Sequence, residues 1–119
     1  MTAGPPEEGA GWSDAPVSVV HAPTAALADD DASTRSLALG TTGAAEVGLW
    51  EIDPGTTGDV EVDEVFLVLS GRATVAVEGW PDVPVGPGDV VRLRAGAVTT
   101  WVVEERLRKL YVAWGDGGA

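Results

Sequence analysis

The chain has no cysteine and a single histidine, His21. The missing thiols exclude disulfides, cysteine nucleophiles and the cysteine-based zinc and iron–sulfur sites. No Walker loop, dinucleotide-binding fingerprint or Ser-His-Asp arrangement is present. A lone histidine is more often structural than a ligand, and His21 falls at the end of a short apolar segment. Carboxylates, hydroxyls and aromatic rings therefore remain as the groups available to a functional site.

Basic residues are also scarce, with 7 Lys and Arg against 19 Asp and Glu and a formal net charge of -12. Such a field repels phosphate backbones and anionic lipid, so neither nucleic acid nor a membrane is an expected partner. Met1 to Gly11 has neither the basic start nor the apolar stretch of a signal peptide. These features predict a cytoplasmic protein.

Short apolar segments separated by Gly and Pro dominate the remainder of the 119 residues. This length suits one domain, and strand-length segments between turn formers predict an all-β barrel or sandwich. Residues 1–14 and 115–119 are predicted to be flexible tails around a domain spanning 15–114. The predicted strands are 17–20, 36–39, 46–52, 60–62, 65–69, 73–77, 90–93, 98–103 and 108–114.

Two short sequence segments resemble the motifs of a known family. EVFLVLSG, Glu64 to Gly71, resembles the end of the first cupin motif, and GDVVRLRAG, Gly88 to Gly96, resembles the start of the second. Arg94 stands where proline is usual. The surrounding words GLWEIDPG, TTW and RKLYV are similar to short single-barrel cupins related to the ethanolamine-utilisation cupin and to ureidoglycine aminohydrolase domains. The resemblance implies a double-stranded β-helix, or jelly-roll, barrel and a homodimer.

The same resemblance implies a pocket in the open end of the barrel, which in many cupins holds a metal. Where metal-binding cupins carry a His-x-His pair, this chain has Thr57 and Asp59 or, with a shorter spacer, Gly58 and Val60. The second-motif histidine falls on Thr99, whose hydroxyl is a much weaker ligand than imidazole. We therefore expect no metal or other cofactor.

Acidic residues crowd the stretch before the first motif, and Glu64, Asp59 and Glu61 are the candidate catalytic residues. Alternation places Asp59 and Glu61 on one strand face, and a break near Asp63 and Glu64 would return Glu64 to the interior. Burial there would raise the pKa of Glu64 and suit it to proton transfer. The alternatives are a solvated acidic rim, and an ion pair from Glu64 to Arg92, Arg94 or Lys109.

The candidate substrate-binding residues lie on four predicted strands, where inward rings and polar tips would line a pocket as readily as fill a core. They are Trp50, Phe66, Thr99, Trp101, Lys109 and Tyr111.

Three functions remain open. The first is a metal-independent cupin that binds a small organic molecule and performs acid–base chemistry on it. The second is a non-catalytic dimeric binding or sensor module, to which exposed tryptophans such as Trp12, Trp80 and Trp114 would contribute an interface. The third is a metalloenzyme with carboxylate ligands drawn from Asp59, Glu61 and Glu64.

Overall fold

A computed structural model describes residues 11–114, which form eight β-strands. The all-β prediction is confirmed. Of the predicted tails 1–14 and 115–119, residues 1–10 and 115–119 lie outside the described residues. No helix in the described part is long and apolar enough to cross a membrane. The strands are β1 Ala28–Asp29, β2 Thr34–Thr42, β3 Ala45–Ile52, β4 Gly55–Val60, β5 Asp63–Val77, β6 Val83–Val85, β7 Val90–Leu93 and β8 Val98–Trp114.

The strand predicted at 17–20 is wrong, because residues 11–27 contain no strand. Val17 and Val19 are 84% and 87% exposed, so extended pairing there would bury little apolar surface. Hydrogen bonds to the main chain of this segment instead hold it on the barrel. The Trp12 amide donates to the Leu39 carbonyl at 2.7 Å, and an Arg108 guanidinium nitrogen donates to the carbonyls of Ala22 and Ala25 at 2.9 Å each.

Strands β5 and β8 are longer than the sequence predicts, since each joins two predicted strands into one. Their first and second halves pair with different neighbours. The first half of β5 lies between β7 and the second half of β8, which continues to β3, β2 and β1. The second half of β5 lies between β6 and the first half of β8, which continues to β4. The two halves of the barrel are thus joined by β5 and β8.

Gly71 marks the bend of β5, where the sequence had indicated a turn. Its φ is 88°, and the register against β8 shifts on both sides of it, between Val68 and Ala73. A Cβ at this position would collide with the main-chain carbonyl of Arg106 on β8. Glycine therefore supplies both the positive φ and the close approach of the two backbones.

The core lies on the inner faces of both halves. Phe66 and Leu107 are almost fully buried. Along β5, buried residues occur at every second position on each side of Gly71, and the alternation shifts at the bend there. The buried members of this core are Ile52, Phe66, Val68, Ala73, Val75, Val85, Leu93, Trp101, Val103 and Leu107. By contrast, Val98 and Val102 face outward and are exposed, so β8 is not covered on both sides within one chain.

An ion-pair network on the outer face joins β2, β3 and β8. Glu51 accepts hydrogen bonds from Arg35 and Arg108, each at 3.0 Å, and Arg35 also reaches Asp53 at 2.6 Å. Burial opposes ionisation of Glu51, but the bonds from Arg108 and Arg35 outweigh it and lower the pKa of this carboxyl. Because Arg108 also binds the N-terminal segment, the network ties that segment to the barrel.

We expect Gly71→Ala to destabilise the protein far more than Gly79→Ala. Both glycines have a φ near 86°, at 88° and 85°, but only Gly71 faces a backbone atom where the methyl would lie. The positive φ alone costs about 1–2 kcal/mol, and the collision should bring the Gly71 change above about 3 kcal/mol. Urea unfolding measures both, and equal losses would contradict the bend as the cause.

Candidate functional site

A break between β4 and β5 arranges the acidic stretch. Strand β4 ends at Val60, β5 begins at Asp63, and the two residues between them belong to neither strand. Glu61 is fixed there by its own backbone, which donates to the Ala97 carbonyl at 2.9 Å and accepts from the Gly96 amide at 2.8 Å. The sequence predicts a break near Asp63 and Glu64, whereas in the structure it lies at residues 61–62. It brings Glu64 to the same cavity as Asp59 and Glu61.

Glu61 is a buried hydrogen-bond acceptor. One carboxylate oxygen, Oε2, accepts from the Thr99 hydroxyl at 2.6 Å and from the Trp101 indole N–H at 3.1 Å. Only 7% of Glu61 is exposed, so the solvated-rim alternative does not describe this residue. With both donors satisfied by one oxygen, Glu61 fixes the orientations of Thr99 and Trp101 on β8.

Glu64 and Lys109 form a buried ion pair across β5 and β8. The Lys109 ammonium lies 2.5 Å from Glu64 Oε2, and Lys109 as a whole is 6% exposed. The sequence analysis named Arg92, Arg94 and Lys109 as possible ion-pair partners of Glu64, and in the structure the partner is Lys109. Lys109 is the only lysine in the chain, because the other six basic residues are arginines.

Three aromatic rings surround the same ammonium. The Lys109 nitrogen lies 4.4 Å from the ring centre of Phe66, 4.8 Å from Trp50 and 5.3 Å from Trp101. The rings also contact each other, with Trp101 5.6 Å from Phe66 and 6.1 Å from Trp50 between centres. Ring faces stabilise a cation electrostatically, so this aromatic cage helps to keep a charged amine inside the barrel.

The environment of Glu64 raises the pKa of its carboxyl group. Burial raises the pKa of Glu64, the Lys109 charge and hydrogen bond oppose that rise in part, and the charges of Glu61 and Asp59 add to it. The sequence-based expectation of a raised pKa therefore agrees in direction. A carboxyl group of this kind accepts or donates a proton closer to neutral pH than an exposed glutamate does.

Tyr111 contributes a neutral hydroxyl to the cavity wall. Burial and a 2.8 Å hydrogen bond to Glu46 both raise the pKa of Tyr111, so the phenol stays protonated. Its ring lies across β3 at Gly48, where a Cβ would overlap the phenol. Gly48 therefore provides the space that positions Tyr111.

These groups meet at a cavity of about 320 Å³. Most of the predicted site residues line it: Trp50, Asp59, Glu61, Glu64, Trp101, Lys109 and Tyr111. Phe66 lies behind the lining, in the core, where it contacts the Lys109 ammonium. Thr99 is likewise buried and acts on the cavity through Glu61. His21 lies outside, in the N-terminal segment, where its carbonyl accepts two turn hydrogen bonds.

Sequence reasoning missed the part of the wall that comes from the start of β2. Asp31, Ser33, Thr34 and Ser36 line the cavity, and the Asp31 carboxylate accepts bonds from the amides of Ser33 and Thr34 at 2.8 and 2.9 Å. The aspartates at 29–31 fall between the predicted strands 17–20 and 36–39, so the sequence indicates only a loop there. No local pattern shows that this loop lies against the barrel mouth, because that depends on the pairing of β2 with β3.

The groups at the family's metal position do not fit a transition metal. Glu64 already binds an ammonium, and the Thr99 hydroxyl, which donates to Glu61, is a weak ligand for such a metal. Residues 11–114 contain no group of three or more His, Asp or Glu side chains arranged to hold a metal ion.

Comparison with known proteins agrees with the barrel fold. The family model described as EutQ-like cupin domain matches residues 39–111. No curated protein matches the chain. A putative ethanolamine utilization protein Q from Salmonella typhimurium LT2 is similar in structure, with a TM-score of 0.68, 23% identity and coverage of 82% of this chain and 85% of that one.

Two further solved structures show the same fold. The EutQ protein of Clostridium difficile aligns with a TM-score of 0.70 and 18% identity, covering 82% of this chain and 86% of that one. A protein of unknown function from Rhizobium leguminosarum aligns with a TM-score of 0.65 and 27% identity, covering 71% of this chain and 84% of that one. Together these matches support the double-stranded β-helix reading of the strands.

Glu61→Ala should destabilise the protein by about 2–4 kcal/mol, because it leaves the buried Trp101 indole N–H without its acceptor and the Thr99 hydroxyl with a weaker one, the Asp59 carbonyl at 3.5 Å. The matched control is Glu104→Ala, which removes an exposed acceptor of Thr74 on the other face and should change stability by less than about 0.5 kcal/mol. Urea unfolding measures both. Similar losses in the two variants would contradict the buried role of Glu61.

The raised pKa of Glu64 predicts a pH dependence of stability. Because the folded state holds this proton more tightly than the unfolded state, the contribution of Glu64 is greatest at low pH. It decreases as pH rises from the ordinary value of 4.5 through the raised folded value. The difference in unfolding free energy between wild type and Glu64→Gln should therefore fall over that window and then level off.

Urea unfolding at a series of pH values gives this difference, and carbon-13 NMR of the Glu64 carboxyl gives the folded midpoint. Glu104→Gln, at an exposed position, is the control for the effect of replacing a carboxylate with an amide. A Glu64 midpoint below 4.5 would show that the Lys109 ion pair dominates over burial, against our expectation.

Proposed function

This chain belongs to the EutQ-like cupin domain family, and from that premise we propose that it binds a small organic molecule in its barrel and performs metal-independent acid–base chemistry there. The observation that carries the proposal is the Glu64–Lys109 pair at the wall of the cavity, inside an aromatic cage. A proton donor and a proton acceptor are thereby held together in a place that a small molecule can reach.

Each group has a separate role in this proposal. Glu64 exchanges the proton with the ligand, since burial raises its pKa toward the working range. Lys109 holds the carboxylate in place and supplies a positive charge beside any negative charge that develops on the ligand. Trp50 and Trp101 form the flat walls against which an organic molecule packs. Tyr111 is a neutral phenol in the cavity wall whose hydroxyl donates to Glu46, and Asp59 stands at the rim.

The charge arrangement supports chemistry without a metal. In metal-dependent enzymes a bound cation polarises the substrate and stabilises the charge that develops on it. Here the Lys109 ammonium already lies beside Glu64, at the carboxylate that the cupin resemblance assigns to the metal. An ammonium can provide the same electrostatic stabilisation, and in addition it can carry a proton.

The proposal is tested by observing the five tryptophan indole N–H signals in a nitrogen-15 NMR spectrum while small organic compounds are added. We expect compounds that bind to shift the signals of Trp50 and Trp101, which line the cavity, and to leave those of Trp12 and Trp114 unchanged. The Trp101 signal is the more diagnostic of the two, because its N–H is bonded to Glu61.

Glu64→Gln separates chemistry from binding in the same experiment. The amide keeps the shape of the side chain, so compounds that shift Trp50 and Trp101 should still bind, while any turnover of them should fall by about a hundredfold or more. A broad library that shifts neither signal would contradict the proposed binding site. Turnover that survives in Glu64→Gln would contradict the role of Glu64.

A further inference from the structure

Lys109 combines three properties that lysines rarely share. It is the only lysine in the chain, it is 6% exposed, and its ammonium is at the wall of a cavity of about 320 Å³. Lysine is normally placed on protein surfaces, where its strongly hydrated ammonium stays in water. In a chain with so few basic residues, the one lysine has instead been placed where a small molecule enters.

The hydrogen bond between Lys109 and Glu64 provides a path for a proton from the amine to the carboxylate. Glu64 Oε2 accepts from Lys109 at 2.5 Å, so a proton needs to move only along one hydrogen bond to convert the pair to a neutral amine and a carboxylic acid. The raised pKa of Glu64 favours transfer of this proton to the carboxylate. A neutral amine is the nucleophilic form of lysine.

We propose that Lys109 forms an imine with a small aldehyde or ketone that enters the cavity, with Glu64 as its proton partner. This inference rests on the proposed function, because it assigns a substrate class and a covalent step to the same site. It makes Lys109 a catalytic residue, whereas the acid–base proposal alone needs it only as a charge beside Glu64.

The step balances within the groups that the site holds. Lys109 transfers one proton to Glu64, and the nitrogen lone pair attacks the carbonyl carbon to form a carbon–nitrogen bond. The carbonyl oxygen takes up a proton from the nitrogen and becomes the hydroxyl of a carbinolamine. Glu64 then returns its proton to that hydroxyl, which leaves as water as the carbon–nitrogen double bond forms. An ammonium and a carbonyl compound become an iminium ion and water, with Glu64 again a carboxylate.

The iminium ion keeps the positive charge of Lys109 in the same position. It would remain beside the Glu64 carboxylate and the rings of Trp50, Phe66 and Trp101, the interactions that already stabilise the ammonium. The site is therefore organised for the charged intermediate before any ligand arrives.

The charges of the cavity narrow the class of carbonyl compound. Asp31, Asp59 and Glu61 line the cavity in addition to Glu64, and Lys109 is its single basic residue. An anionic keto acid would meet this excess of carboxylates, whereas an uncharged aldehyde or ketone would not. We therefore expect butanal to react well and pyruvate to react poorly.

The test is reductive trapping with sodium cyanoborohydride, using butanal and pyruvate as probes on the full chain. Reduction of an imine attaches the probe to nitrogen permanently, and the mass of the intact protein and of its peptides locates it. Only two kinds of amine are present, Lys109 and the α-amine of the polypeptide, so the α-amine serves as an internal measure of ordinary reactivity. We expect butanal to label Lys109 faster than the α-amine by about tenfold or more.

Two variants define the role of each partner. Glu64→Gln should slow labelling of Lys109 by about tenfold or more while labelling of the α-amine is unchanged, because the proton acceptor is lost. Lys109→Arg keeps the positive charge and should show label at the α-amine alone. The wild-type comparison of the two amines does not depend on either variant folding.

Labelling of Lys109 that is no faster than that of the α-amine, or that appears only in urea, would overturn the inference. So would equal labelling of Lys109 in wild type and folded Glu64→Gln. These outcomes leave the acid–base proposal intact as long as small molecules still shift the Trp50 and Trp101 signals. If those signals do not respond either, the proposed function fails as well.

Discussion

Strands β5 and β8 run through both halves of the barrel and bend at the same level, where Gly71 lies against the backbone of Arg106. The site depends on this shared bend. Trp101 belongs to the first half of β8 and Lys109 to the second, yet the bend brings the indole ring and the ammonium within 5.3 Å. On a straight strand, eight residues would separate the two side chains by about 26 Å.

Within that frame, the Glu64–Lys109 pair sets the chemistry of the cavity. Two buried charges are tolerated because they satisfy each other and because three ring faces surround the cation. In a chain without histidines at the motif positions, this pair places a positive charge inside the barrel, carried by a side chain.

The sequence predicted the strands well where a strand had clear ends and a regular period. The stretches 46–52 and 90–93 are strands in the structure, and the turn at Asp53 to Gly55 separates β3 from β4. It failed at Val17 to Val20, where apolar residues find no partner, and at Ser70–Gly71, where a turn signal is instead a bend within one strand. A glycine at this position is compatible with both a turn and a bend within a strand, because each requires a positive φ.

The sequence predicted which residues belong to the site better than it predicted which of them bond to each other. Period and motif position pointed to Glu64, Glu61 and Lys109, and composition by itself established that thiol chemistry and a histidine-based metal site are absent and that one lysine is present. Only the tertiary structure decided that Glu61 is a buried acceptor and that Lys109, rather than Arg92 or Arg94, meets Glu64. Those partners lie about forty residues apart in sequence. Which of them touch depends on strand register and on the bend, and neither is encoded in any local pattern.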